Sequence, residues 1–234
     1  AIGKELAAAN ELDAAIEKLG QAIEKANEYG QEDIAADAQT LIPQLYMQKG
    51  NLALNQKNYA EAITCYQKVV EINPSDANGY LRLGQAASRA DQLDVAISAL
   101  TKAGELGQQK AADKEMSTIY LSKAAEVLKS KDYQGAYDNA VKSLEILPTP
   151  TAMQIAGTAA LQLKNYDAAI NNFEGFLTAS PNARNADQIK YQLATAYEAK
   201  GDKANACVNY KAILNNPQFA EYAKHKINNE LKCQ

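Results

Sequence analysis

Tryptophan is absent from this 234-residue sequence, and histidine occurs once, as His225. A single histidine cannot supply a His cluster, an HExxH motif or a Ser–His–Asp set. The three cysteines, Cys65, Cys207 and Cys233, stand far apart and form no CxxC pair. That spacing argues against a zinc site and does not indicate a disulfide framework. No GxGxxG or P-loop pattern is present, so no nucleotide fingerprint is available. No apolar run approaches the ~20 residues that a membrane helix needs. Basic charge is also short: 24 Lys+Arg face 28 Asp+Glu, a net of −4. A mildly acidic chain without a basic run is not built to grip phosphate backbones. Nucleic-acid binding and membrane spanning are set aside, and no cofactor or metal is expected.

The sequence does hold 13 tyrosines and a high content of alanine, with 47% hydrophobic and 22% charged residues. At ~150 residues per domain the length fits one or two domains. A repeating frame runs through the chain. Ala62 has Gly50 twelve residues upstream, Tyr59 three upstream, Tyr66 four downstream and Pro74 twelve downstream. Ala96 repeats this with Gly84, Leu93 and Leu100, and Ala136 with Ala124, Tyr133 and Pro148. Ala169 repeats it with Gly157, Tyr166, Phe173 and Pro181, and Ala206 with Ala194 and Tyr210. Small residues twelve apart predict two helices whose backbones approach closely, small residue facing small, with large residues filling the flanks. Nine tyrosines (Tyr46, Tyr59, Tyr66, Tyr80, Tyr120, Tyr133, Tyr166, Tyr197, Tyr210) fall on these packing positions. Polar breaks such as QKN, KSKD and AKGD supply the turns inside each hairpin, and the proline after each second helix ends it.

This frame resembles the tetratricopeptide repeat, a helix–turn–helix unit of 34 residues. The resemblance implies an all-α fold, a right-handed superhelix (α-solenoid) in one domain over 1–234. It would contain about five full repeats: 43–76, 77–110, 117–149, 150–183 and 187–220, with insertions at Ala111–Met116 and Arg184–Ala186. Departures from the pattern are Lys49 where a Leu is usual, Ala140 in place of a large residue and Lys203 in place of an aromatic. Residues 1–42 read as a partial repeat, stopped at Gly30, and the start of a long helix over 31–56 with Pro43 inside it. Residues 217–233 read as a capping helix. Its apolar stripe is Phe219, Ala223, Ile227 and Leu231, and its outer face Lys224, Asn228 and Lys232. The stretch around the Arg184–Ala186 insertion resembles repeats of bacterial periplasmic proteins, which points to a cell-envelope setting.

In the family this chain resembles, first helices line a concave face where extended peptides bind. The positions so implied are Gln44, Met47, Asn51 and Asn55 in the first full repeat, and Asn78, Leu81, Gln85 and Arg89 in the second. Thr118, Leu121 and Lys129 follow in the third, Gln154 and Thr158 in the fourth, Gln188 and Tyr191 in the fifth. Amides dominate this set, and an amide can both donate to and accept from the backbone of an extended chain. Met47 occupies the first place of the carboxylate clamp of chaperone-binding members, and Thr118 and Ser122 stand where cations are needed, so that clamp is not expected.

No candidate carries catalytic chemistry. His225 lies near a helix C-terminus, where the dipole favours it without a partner. Cys65 and Cys207 fall inside second helices as small apolar fillers, and Cys233 at the end is the one thiol expected to react. Carboxylates such as Glu17, Glu24 and Glu28 are scattered over helix surfaces. Residues 1–40 hold nine acids against three lysines, a net of −6 that leaves +2 for the rest. Such an end could steer a basic partner.

The expected function is a non-enzymatic scaffold that binds a peptide or protein segment. The alternative is a self-assembling structural component of a cell-envelope complex, its homo-oligomer formed through the incomplete N-terminal repeat. The chain starts AIGKEL without Met, so its first residue is expected to be a processed or a trimmed end. The expected location is periplasmic or envelope-associated.

Overall fold

The computed structural model describes residues 2–8 and 11–233, which contain helices and turns but no strand. The helices are α1 (Ile2–Ala8), α2 (Leu12–Glu28), α3 (Glu32–Asn55), α4 (Tyr59–Ile72), α5 (Ala77–Arg89), α6 (Leu93–Ala103) and α7 (Gln109–Lys129). They continue as α8 (Tyr133–Ile146), α9 (Pro150–Gln162), α10 (Tyr166–Ala179), α11 (Ala186–Lys200), α12 (Lys203–Lys211) and α13 (Ala220–His225). The chain forms two compact units, Ala1–Glu115 and Met116–Gln234. Helices α1 to α6 pack each on the next, as do α8 to α13.

Turns inside the hairpins share one construction. Lys57, Asp91, Lys131, Lys164 and Gly201 all have positive φ, between 58° and 90°. Each stands two residues before a second helix, where one left-handed residue reverses the chain. In four of these five turns the next residue then caps that helix. Asn58, Asp132, Asn165 and Asp202 accept from the backbone N–H three residues on, meeting one of the four donors a helix start leaves open.

In the first unit, Leu12, Ala15, Leu19, Ala38 and Leu45 form the core between α2 and α3. Small residues do bring backbones together there, since a Cβ on Gly84 would lie 3.2 Å from the Ala96 carbonyl oxygen. The tighter contact differs from the small-on-small expectation. It is between each glycine and the large side chain sixteen residues on. A Cβ would come within 2.6 Å of Tyr66 from Gly50 and of Leu100 from Gly84. Lys49, at the position where Leu is usual, is half-buried and bonds Asp13 of α2 and Glu61 of α4. The hydrogen bond to Asp13, opposed by burial, leads in raising its pKa, so the ammonium is kept charged. Pro43 sits within the continuous helix α3. A π-helical turn at Gly104–Gln108 follows α6, and Gly107 breaks it at φ 104°. Residues 111–116 then lie inside α7, which reaches 21 residues.

In the second unit, Ala124, Ala140, Ile155 and Ala156 form one core cluster. Phe173, Phe176, Ile189 and Leu193 lead the next. Gly157 receives Phe173 as Gly50 receives Tyr66. Between α7 and α8, Ser143 Oγ donates to the Ser117 carbonyl (3.0 Å), and both serines are buried. The apolar stripe of the cap is in place, with Phe219, Ala223 and Ile227 buried and Leu231 packed against them. The cap itself is shorter than expected: a six-residue helix, then a π-helical turn at Lys226–Glu230.

Two cysteine expectations are corrected. Cys207 is not a buried filler and Cys233 is not a free thiol, because the two form a disulfide with Cα atoms 5.8 Å apart. Their separation of 26 residues concealed it. The chain folds back after α12, so that the terminal segment meets α12 again. Cys65 is free and buried, as expected. Burial also leads in raising its pKa, which leaves the thiol inert.

Candidate functional site

Helix α3 is long enough to run past its hairpin partner, and its exposed side meets the α4–α5 connection. Asn73 Oδ1 accepts from both the N–H and the hydroxyl of Ser75, folding that connection tightly. Asp76 Oδ1 then accepts from the Gly79 N–H at 2.9 Å and starts α5. Between these elements lies a cleft of about 970 Å³. Ala36, Gln39, Thr40, Pro43, Gln44 and Met47 line one side, and Ile72, Asn73, Asp76 and Asn78 the other.

Three of the residues expected to bind a chain, Gln44, Met47 and Asn78, meet in this cleft. Gln44 and Asn78 are exposed and Met47 is half-buried. The lining holds no Lys or Arg, and its one carboxylate is already engaged by the start of α5. What it offers is amide and hydroxyl hydrogen bonding beside the apolar surface of Pro43, Met47 and Ile72. Ile72, 44% exposed, was missed at the level of sequence, as were Asn73 and Thr40. The signal was an isoleucine closing a helix just before the sequence NPSD, where no helix partner remains to cover it.

The remaining expected residues of the first unit lie elsewhere. Asn51 accepts from the Tyr66 hydroxyl at 2.9 Å, and burial raises the pKa of that phenol. Gln85 donates to Glu115 (2.9 Å) and accepts from Arg82 (3.2 Å). Asn51 and Gln85 are thus engaged in internal ties. Leu81 is half-buried on α5, and Asn55 and Arg89 are exposed at the last positions of α3 and α5.

In the second unit, Gln154 Oε1 accepts from Asn185 (2.9 Å), and Thr158 Oγ accepts from Gln192 (3.4 Å). These bonds link the neighbouring first helices, from α9 to the N-cap and the middle of α11. Gln188 is half-buried on α11, and Thr118 and Lys129 are exposed on α7. Leu121 and Tyr191 depart from expectation. Leu121, itself expected on the groove face, is half-buried and packs against the core cluster of Ala124 and Ile155. Tyr191 stacks on Phe219, ring centroids 5.3 Å apart, and meets Tyr222 edge-on at 5.4 Å. The cap covers it.

Among the described residues, no group of three or more His, Cys, Asp or Glu side chains is placed to hold a metal ion. No helix among them is long and apolar enough to cross a membrane.

A sequence-derived helical repeat with this internal construction is matched by known proteins. Residues 43–76, 150–182 and 189–218 each match a family model described as tetratricopeptide repeat. The chain carries tetratricopeptide repeats at these three places, in an all-helical fold. The small glutamine-rich tetratricopeptide repeat-containing protein 2 of Mycosarcoma maydis is 25% identical over 187 residues, 77% of this chain and 51% of that protein. The chain therefore spans about half the length of that relative. Among solved structures, MamA of AMB-1 superposes with a TM-score of 0.50 at 19% identity, over 76% of this chain and 93% of its own. YrrB, described as a TPR protein with an unusual peptide-binding site, gives a TM-score of 0.45 at 18% identity, over 87% and 97%. At these identities the MamA likeness speaks for the fold alone, and the YrrB likeness is too distant to add to it.

Proposed function

We propose that this protein is a non-catalytic interaction scaffold that binds an extended peptide or protein segment in the cleft between α3 and α5. The cleft is the observation that carries this reading. Its ten lining residues are six polar and four apolar, and its lone carboxylate is already bonded to the backbone. Neutral amides satisfy the backbone of an extended chain without reading its charge. Met47, Ile72 and Pro43 provide apolar surface for a side chain of that ligand. Because α3 and the folded α4–α5 connection are fixed by packing, the ligand alone bears the cost of ordering. Repeat folds of this kind characteristically present such preformed surfaces.

The test is affinity capture from lysate, comparing the wild type with a triple variant, Gln44→Ala, Met47→Ala and Asn78→Ala. These three side chains line the cleft and make no internal tie that folding needs. A protein retained by the wild type and lost at least tenfold by the variant supports the reading. Equal retention by both moves the interface off the cleft. If neither retains a partner while light scattering shows mass growing with concentration, self-assembly is the better reading.

The Cys207–Cys233 bond bears on location. Disulfides persist in oxidising compartments and are rare where thiol reductants prevail. We propose that the protein works in such a compartment, a periplasmic or envelope-associated one.

A further inference from the structure

The terminal segment from Asn216 onward follows α11 and is tied to it at successive points. Asn216 Nδ2 donates to Asp187 Oδ2 at 3.0 Å. Phe219 and Tyr222 close on the Tyr191 ring. Lys226 Nζ donates to Glu198 Oε1 at 2.8 Å. The segment from 216 to 226 thus runs in the same direction as 187 to 198, covering about three turns of that helix. Ile227 then enters the cluster of Tyr210 and Ile213, and Cys233 reaches back to α12 through its bond to Cys207.

The segment is short, and the bond is its one covalent tie to α12. Helix α13 has six residues, far below what holds a helix in isolation. Phe219, Ala223 and Ile227 are buried beside Tyr210 and Ile213, Tyr222 is 43% exposed, and the polar ties are one amide and one ammonium. Cys207 and Cys233 are both half-buried, so the bond lies outside the sealed core.

We propose that residues 216–233 are a redox-held lid on the last repeat, closed while Cys207 and Cys233 are bonded and released when they are reduced. A small dithiol attacks the bond, forms a mixed disulfide and then closes its own ring. Two electrons and two protons pass from the dithiol, leaving thiols on Cys207 and Cys233. Without the cross-link, the loop-closure constraint on the segment is lost, which raises its opening on the order of a hundredfold. Opening uncovers Asp187, Tyr191 and Glu198, the row on α11 that the segment occupies. That this row then offers a separate chain-binding surface within the second unit rests on the function proposed above. The lid itself does not.

Hydrogen exchange on the full chain tests the lid without any partner. Three forms are compared: oxidised, reduced by dithiothreitol, and Cys207→Ser with Cys233→Ser. The expected result is exchange on the order of a hundredfold faster across 213–233 in the second and third forms, with α9 and α10 unchanged. Equal protection in all three overturns the proposal, because the aromatic and polar contacts then suffice. Faster exchange in α9 and α10 as well overturns it too, since the bond would be a staple of the whole unit. Should the double variant fail to fold, reduction and reoxidation of the wild type decide: protection of 213–233 must fall and return.

Discussion

At Gly157, the closeness of α9 and α10 depends on the absence of a single methyl group. A Cβ there would lie 2.6 Å from Phe173 Cε1, and Phe173 is fully buried, so the ring must shift within a packed core. Alanine gains about 1 kcal/mol of helix propensity over glycine, but overpacking a rigid core costs about 1–3 kcal/mol. The clash wins, so Gly157→Ala is expected to lower stability by up to about 2 kcal/mol in urea unfolding. Adding Phe173→Leu should recover part of that loss. Gly20 supplies the contrast, as a Cβ there meets nothing within 4 Å. Gly20→Ala should therefore stabilise by about 0.5–1 kcal/mol. If both alanines act alike, glycine spacing reflects propensity and not the approach of two helices. The same contact accounts for Ala140. Where the first-helix position holds Ala124 in place of glycine, the facing residue is small, and both belong to one buried cluster. Ala194 nevertheless faces Tyr210 in the last core cluster, so the exchange of volume is not obligatory.

The hairpin is the element on which sequence speaks most clearly, because its turn is a local matter. A residue with positive φ followed by a capping Asn or Asp needs only three or four positions to specify. Lys131 occupies the left-handed position of the α7–α8 turn at φ 64°, a conformation that costs a side-chain-bearing residue about 1–2 kcal/mol. Lys131→Gly should raise stability by about 0.5–1 kcal/mol despite the looser unfolded chain. Asp132→Ala removes the acceptor for the Gly135 N–H and should lower it by about 1 kcal/mol. Urea midpoints of both variants, measured beside the wild type, check the two signs together. Periodicity also showed which helix faces are apolar, and the cap stripe from Phe219 to Leu231 was readable on that basis. What it could not show was how long helices end. The cleft depends on α3 extending past α4 and on the chain folding tightly at Asn73, so the isoleucine before NPSD shows as an uncovered apolar residue but not as a wall facing α3. Nor did spacing distinguish a surface row from the place where another element lies across it. Tyr191 has the register of an open position, and only the return of the chain at Asn216 brings Phe219 and Tyr222 over it.

On the scale of the molecule, several groups whose ionisation depends on folding gather in the second unit, and they define how its stability varies with pH. Burial, aided by the hydrogen bond its hydroxyl gives Glu174, pushes the Tyr197 pKa up to about 12. Tyr210 is raised further, first by burial and then by its bond to Glu198. For Lys226, burial favours the neutral amine, yet the bonds to Glu198 and Glu230 outweigh it and the pKa rises. Each of these folded-state values exceeds the unfolded one, so the stability they contribute is complete below pH ~10 and is lost as pH climbs through the folded values. Asp187 runs the other way. Hydrogen bonds from Asn216 and Lys190 lower its pKa, so its contribution is complete above pH ~4 and is lost as pH falls below that. The second unit should therefore keep level stability through the neutral range, with the urea midpoint dropping between pH ~10 and ~12. Tyrosinate absorbance gives an independent reading, because burial holds Tyr197 and, more strongly, Tyr210 in the neutral form above the usual tyrosine range. A fraction of the 13 tyrosines should consequently appear late, in step with loss of helical circular dichroism. Smooth titration of every tyrosine before any helix is lost would mean that these phenols are open to solvent, and that the packing of α11 on α12 and the cap is looser than the distances require.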